Sequence, residues 1–369
     1  MNYRVTVLTP TLAGSGEALS PIDYMVWRDQ VNVLDQARIF KLLARGPRLD
    51  NYLVQIRRAE RLDFASWGGF AQNFAGRRIP FEHSSAVSHW NRMPTDHLFI
   101  PEFAAQTGGP YLPASALKGA LRTALLASRW QAKHLEGLAA RFDEGTLRRT
   151  AAEELERQSL GNPGHDLMRA LSLGDSAPVD RDRFQVHLWR TAKLDLRGGR
   201  IAWGWKGVGR NTVEPNRISD ASARFAEMAT PGTEFAGRWD ELARARSNVN
   251  ARLLAAAANA YSTATLTLHE KFASACGLSG VVASVRKLKE VIQSAGQTSC
   301  VLNLGWGGGF FGKTGWPHPE DVNYRKLLGA LPPYSRTIAS GLPFPKTRRV
   351  LFLNGEPAAL AGWVRLDVA

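Results

Sequence analysis

Apolar and polar residues alternate over Tyr3–Leu8, and that period of two predicts an opening strand. Thr9-Pro10 ends it, and Ala13–Glu17 reads as a glycine-containing loop. Asp23–Val33 predicts a second strand pair, and Leu34–Ala44 and Asn51–Arg61 carry helical spacing. Residues 62–112 keep neither period. They scatter Phe64, Trp67, Phe70, Phe74, Phe81, Trp90 and Phe99 around Arg77-Arg78, and read as an irregular insertion or functional excursion. Ser115 is placed to cap a long helix over Ala116–Phe142, followed by a helix over Thr146–Gln158. Strands are predicted over Leu171–Pro178 and Phe184–Leu196, with another starting in Gly232–Gly237. Helices follow over Arg244–Ala275 and Val281–Ser294, then a strand at Cys300–Leu304 that feeds a glycine loop, Gly305–Gly315. A short helix at Asp321–Leu328 and a strand at Trp363–Val368 close the pattern. Without a regular βαβ rhythm, the fold class is α+β.

Composition narrows the class. The 369 residues are 44% hydrophobic and 22% charged, the balance of a folded chain with room for two domains. Two cysteines, Cys276 and Cys300, are too few for a disulfide framework or a cysteine-rich zinc site. Nothing at the N-terminus resembles a signal peptide, and no stretch approaches the ~18–20 apolar residues of a membrane span. Secreted, collagen-like and membrane-spanning classes are set aside, and a cytoplasmic protein is expected.

Charge adds a partner. The net charge is +14, of which residues 1–180 carry +2 and residues 181–369 carry +12. The densest part is Arg181–Arg217, with Arg197, Arg200, Lys206 and Arg210 among its nine cations. Phe184, Trp189, Trp203, Trp205 and a run of glycines interleave with them. Cations, aromatic faces and flexible backbone suit a nucleic-acid strand with unstacked bases. A solvated hairpin whose tryptophans pack into the core fits the same residues.

Gly307–Thr314 matches the phosphate-loop pattern G-x-x-x-x-G-K-[ST]. That chemistry needs a helix starting at Lys313-Thr314, but Gly315-Trp316-Pro317-His318-Pro319 follows at once. The context argues against nucleotide hydrolysis. A glycine loop with Lys313 can still lie against an RNA backbone, and a tight loop packing Trp306 and Phe310 is the plainer alternative.

Tyr111–Arg122 opens the long helix with Ser115, Lys118 and Arg122 spaced along one face. Helix N–H groups and two cations can bind phosphate, and a solvated basic face is the alternative. This segment resembles the P-x-S-x-x-K-G-x-x-R signature of RAMP proteins, the repeat-associated family of CRISPR systems. Leu8-Thr9-Pro10 with Gly14–Glu17, Leu173–Ser176, Thr230–Phe235 and Leu304–Thr314 resemble further family motifs in the family's order. Lys346–Arg349 and Gly362–Val364 resemble the ending found in one branch, within type III-A (Csm) effector complexes. Ala114 departs from the glycine usual in the signature, and residues 62–110 do not align.

The resemblance implies two ferredoxin-like (RRM-like) RAMP domains with insertions. They are placed at residues 1–180, with the aromatic insertion near 62–110, and 181–369, with the glycine-rich loop 305–315. It implies a non-catalytic subunit, without cofactor or metal, that caps the crRNA 3′ region. Such a subunit supports 3′-end maturation through host nucleases and serves antiviral defence. Its partners would be crRNA, as single-stranded guide and guide–target duplex, neighbouring RAMP backbone subunits of the Csm complex, and the small subunit. The expected RNA contacts are Ser115, Lys118, Arg122, Gly305, Gly307, Gly308, Gly309, Lys313, Thr314, Arg197, Arg200, Lys206, Arg210, Arg348 and Arg349. A β-hairpin "thumb" across the guide–target duplex is expected at Arg197–Arg210, with residues 62–99 as the other candidate.

Some RAMP relatives are endoribonucleases that process precursor crRNA, which keeps an enzymatic alternative open. Cleavage through a 2′,3′-cyclic phosphate needs a base and a cation. His83 and His89 near Arg77-Arg78 are the most suitable set among eight histidines, and Asp63 or Asp96 would serve a metal-dependent route. No spacing singles any of them out.

Overall fold

The computed structural model describes residues 1–44, 48–58, 61–62, 71–146, 150–209, 211–242 and 248–369. Asp63, Phe64, Trp67, Phe70 and Arg210, all named above, lie outside the described residues.

Two antiparallel sheets organise the chain. The first has five strands among the described residues, in the order Ser299–Asn303, Trp363–Val368, Asn2–Val7, Glu234–Glu241 and Leu171–Leu173. The alternation in the opening strand explains its place. Tyr3, Val5 and Val7 are buried opposite Val368, Leu366 and Val364, while Arg4 turns outward. The helices Ala114–Arg129 and Ala251–Ala275 cover that face, through Leu117, Leu121 and Leu125 of one and Leu254 and Ala258 of the other. Residues from both sides of position 180 therefore share one sheet, so that position does not divide the sheets. The presence of helix and sheet together agrees with the α+β class.

The second sheet is built on the long strand Phe184–Arg197. One edge pairs with Thr347–Leu353, which continues to Glu356–Ala359. The other edge is shared end to end: Arg224–Ala229 pairs with residues 184–189, and Arg200–Lys206 pairs with residues 192–197. A smaller three-stranded sheet joins Tyr24–Trp27, Gln30–Leu34 and Ala75–Pro80.

The structure corrects several sequence expectations. The helix expected over Ala116–Phe142 is two, Ala114–Arg129 and Ala132–Asp143. Trp130 is extended between them, and Gln131 and His134 form a capping box that starts the second. Ser115 is not the cap: Pro113 holds that position and Ser115 lies one residue inside the helix, exposed. Within the stretch expected to be irregular, residues 71–112 are largely regular, with a strand at Ala75–Pro80, a helix at Ser85–Arg92 and a strand at Ile100–Phe103. Phe81, Trp90 and Phe103 of it are buried core, while Phe99 is exposed. The strand expected over Leu171–Pro178 stops at Leu173.

Candidate nucleic-acid interface

The motifs that are far apart in sequence are knitted together by backbone hydrogen bonds. The Gly362 N–H donates to Pro10 O at 3.0 Å, Leu304 N–H to Gly362 O at 2.6 Å and Trp306 N–H to Leu12 O at 2.9 Å. Gly232 N–H donates to Val7 O at 2.8 Å, and Thr9 Oγ1 accepts from Trp363 N–H at 3.0 Å. The glycines of the loop permit this closeness. Gly305 has φ +69°, and a Cβ there would lie 2.1 Å from Leu12 O; at Gly307 it would lie 2.5 Å from Ala361 O. The same loop is no nucleotide-binding loop, because the helix at Phe311–Thr314 ends at once on Gly315, which has φ +64°.

The loop forms one wall of an open cleft of about 540 Å³. Lys346–Arg349 line it as well, so two segments proposed from sequence meet here. Among the described residues four cations line it, Lys313, Lys346, Arg348 and Arg349, and no carboxylate does. The arginines are also structural. Arg349 donates to Trp306 O at 2.7 Å and lies 4.1 Å from the Trp306 ring centre. Arg348 donates to His269 Nδ1 at 2.9 Å and lies 4.6 Å from the Phe272 ring. Burial pushes the Arg348 guanidinium down to about 10, so it stays charged at neutral pH. Burial also drives His269 well below its ordinary value, with Arg348 adding to the effect. A neutral imidazole there can accept the arginine hydrogen bond. Lys313 is exposed at the rim.

Beside these cations stands an aromatic cluster that sequence inspection missed. Phe310 and Phe344 are 4.7 Å apart edge-to-face, and Tyr334 stands 5.5 Å and 5.3 Å from them. The spacing of residues 310, 334 and 344 carries no signal, since three helices lie between the first and the last. Aromatic faces next to cations suit an unstacked base and its phosphate.

The second sheet extends the basic surface. Alternation puts Trp189, Thr191, Lys193, Asp195 and Arg197 on one face of the long strand, with cross-strand Arg349, Lys206 and Arg200 beside them. The hairpin tip is a two-residue turn at Gly198-Gly199, both with positive φ. Arg197 is paired with Glu214 and Arg200 is exposed. On the opposite face of the tip, Leu196 and Ile201 are cross-strand neighbours, 42% and 57% exposed. Phe184 and Trp205 went the other way and are buried core.

The Ser115 helix terminus is organised differently. Asp175 Oδ1 accepts from the Ala114 N–H at 2.7 Å and caps the helix. Lys118 Nζ donates to Leu171 O at 2.6 Å, and burial lowers its pKa, opposed by Asp166. Arg122 bridges Glu156 and Asp166, each at 3.0 Å. None of Ser115, Lys118 and Arg122 lines the cleft, although Ala120 and Thr123 of the same helix stand against Gly308 and Gly312.

The histidines considered for catalysis are dispersed. His83 Nδ1 is 2.8 Å from Ser85 Oγ. His89 lies 3.1 Å from Arg190 Nη2, and burial, then Arg190 and Arg92, push it down to about 4. Asp96 faces His97 at 3.6 Å. Arg77 is held by Glu102 at 2.7 Å and Glu227 at 3.4 Å. Among the described residues no cluster of His, Cys, Asp and Glu could hold a metal, and no helix is long and apolar enough to cross a membrane.

Comparison with known proteins agrees with this architecture. The family model of the RAMP superfamily matches residues 4–311. The chain is 21% identical to the "CRISPR system Cms protein Csm5" of Methanocaldococcus jannaschii, over 100% of this chain and 89% of that protein. Its fold is similar to a chain of the Csm–crRNA–target RNA ternary complex of a type III-A CRISPR–Cas system. That likeness has a TM-score of 0.69 and 22% identity over 100% of both chains. It is also similar to T. onnurineus Csm5, with a TM-score of 0.61 and 18% identity over 99% of this chain and 100% of that one.

Proposed function

The chain belongs to the RAMP superfamily, and on that premise we propose that it is an RNA-binding subunit of a type III-A CRISPR effector complex. In this proposal it caps the 3′ region of the crRNA beside neighbouring RAMP subunits, supports 3′-end maturation by other nucleases, and does not cut RNA itself. The observation that carries the proposal is the cleft that, among the described residues, is lined by four cations, an aromatic cluster and no carboxylate. The basic sheet face would continue the RNA track toward the hairpin, which is the proposed thumb.

Filter binding of crRNA across a salt series tests it. The expected result is an affinity that falls linearly in log–log form with salt, by about 0.7 per phosphate contacted. Failure both to bind crRNA and to join a RAMP filament would overturn the proposal. Incubation with precursor crRNA, with and without EDTA, separates it from the processing-endoribonuclease alternative: specific cleavage lost in His83→Ala would favour the enzyme.

A further inference from the structure

The shared edge of the long strand has a joint. Arg224–Ala229 leaves it at Trp189, and Arg200–Lys206 joins it at Ala192. At the joint the two strand ends abut and present Lys206 and Arg224 on the same face as Trp189 and Thr191. A pocket of about 200 Å³ opens there, walled by Asp96, His97 and Ser222.

Its chemistry is that of an anion site. Arg224 spends one nitrogen on Asp96 O at 2.7 Å, and Lys206 is exposed. Among the described residues Asp96 is the one carboxylate in the lining, 74% exposed and 3.6 Å from His97 Nε2. Ser222 Oγ lies 3.0 Å from His97 Nδ1, which ties that ring nitrogen into the wall. Pockets that hold whole small molecules run to about 300–1,000 Å³. This one is too small for a nucleotide and large enough for a phosphate group.

It is also connected to the cleft. Trp189 lines the pocket and meets Trp306 of the glycine loop edge-to-face at 4.7 Å, and Arg349 lies against both rings. We propose that the strand-end joint is a phosphodiester subsite, in which Lys206 and Arg224 hold one backbone phosphate of a single RNA strand that has crossed the Trp306–Trp189 contact from the cleft. This deepens the RNA-binding function proposed above and rests on it.

The test compares wild type with Lys206→Gln, Arg224→Gln and, as a control for net charge, Lys133→Gln, on an exposed helix position outside the cleft and joint. A single-stranded RNA 20-mer is the probe, over a salt series in filter binding. The expected result is a Kd raised about 3- to 10-fold by Lys206→Gln and by Arg224→Gln, with a salt slope shallower by about 0.7 and little change in Lys133→Gln. Binding and slope like wild type in both joint variants would overturn the subsite while leaving the RNA-binding function standing. No RNA binding by wild type would overturn both. If Arg224→Gln fails to fold, the exposed Lys206 decides alone. Competition by inorganic phosphate at matched ionic strength would reassign the pocket to a free ion and overturn the proposal.

Discussion

The Arg349 guanidinium lies 4.1 Å from the Trp306 ring centre and donates to the Trp306 carbonyl at 2.7 Å, so one side chain both anchors the glycine-rich loop and charges the cleft beside it. Arg349→Ala removes a charge-assisted hydrogen bond and a cation–π contact. A stability loss of about 1–3 kcal/mol is expected. Trypsin should then cut faster at Lys313, the exposed lysine of the loop, and RNA affinity should fall with it. Unchanged cleavage and melting would show that the loop holds without the anchor.

Lys313 and Lys346 are expected to behave differently. Substitution of both by alanine should leave the melting temperature within a degree or two and weaken RNA of every sequence alike, since phosphate contacts carry no base information. Arg122→Ala should do the reverse, lowering stability by up to about 1 kcal/mol because its partners Glu156 and Asp166 lose a half-exposed bridge. Paired measurements of melting and Kd separate the two classes. A large binding loss in Arg122→Ala at unchanged stability would restore it to the RNA contacts.

Asp175→Ala should destabilise the chain by about 0.5–2 kcal/mol by uncapping the Ala114–Arg129 helix. Asp175→Asn, which keeps an acceptor oxygen, should recover most of that. Denaturant titration reads both.

Acid should destabilise the fold through three histidines. Burial pushes His187 down to about 3 and His89 to about 4, and His269 well below its usual value. An unfolded imidazole takes its proton near 6.5, so below that pH the unfolded chain binds more protons than the folded one. Stability is therefore complete well above pH 6.5 and declines toward pH 4, by on the order of 3 kcal/mol for each histidine. Burial raises Glu227, which works weakly in the opposite sense. Neither His187 nitrogen has a hydrogen-bond partner among the described residues, so His187→Leu should flatten the acid limb. An equally steep limb in that variant would point to other groups.

At the hairpin tip, Leu196→Ser with Ile201→Thr should change stability by less than about 0.5 kcal/mol, because both side chains are already exposed. If the hairpin is the thumb, the pair weakens binding of a guide–target duplex and spares single-stranded RNA. Equal effects on both would argue for a general contact.

Much of the fold was legible because period and burial coincide. Tyr3, Val5 and Val7 alternate and are buried, and the Trp363–Val368 strand runs over the residues expected. The Ser279–Gln293 helix begins within two residues of its expected start. Residues 75–103 were not legible, because Phe81, Trp90 and Phe103 belong to short elements buried on neighbours far along the chain, which leaves no local period. The site divides the same way. The glycine loop and Lys346–Arg349 were visible as motifs, but their meeting across one cleft is tertiary. Lys118 and Arg122 looked like free cations because the partners Leu171, Glu156 and Asp166 are 34 to 53 positions away.

The strand Asn2–Val7 sits between Glu234–Glu241 and Trp363–Val368. Both pairings are long-range: Val5 meets Phe235 and Leu366, 230 and 361 positions away. This sheet therefore carries a high contact order, and its closure is expected to be slow beside the formation of its helices.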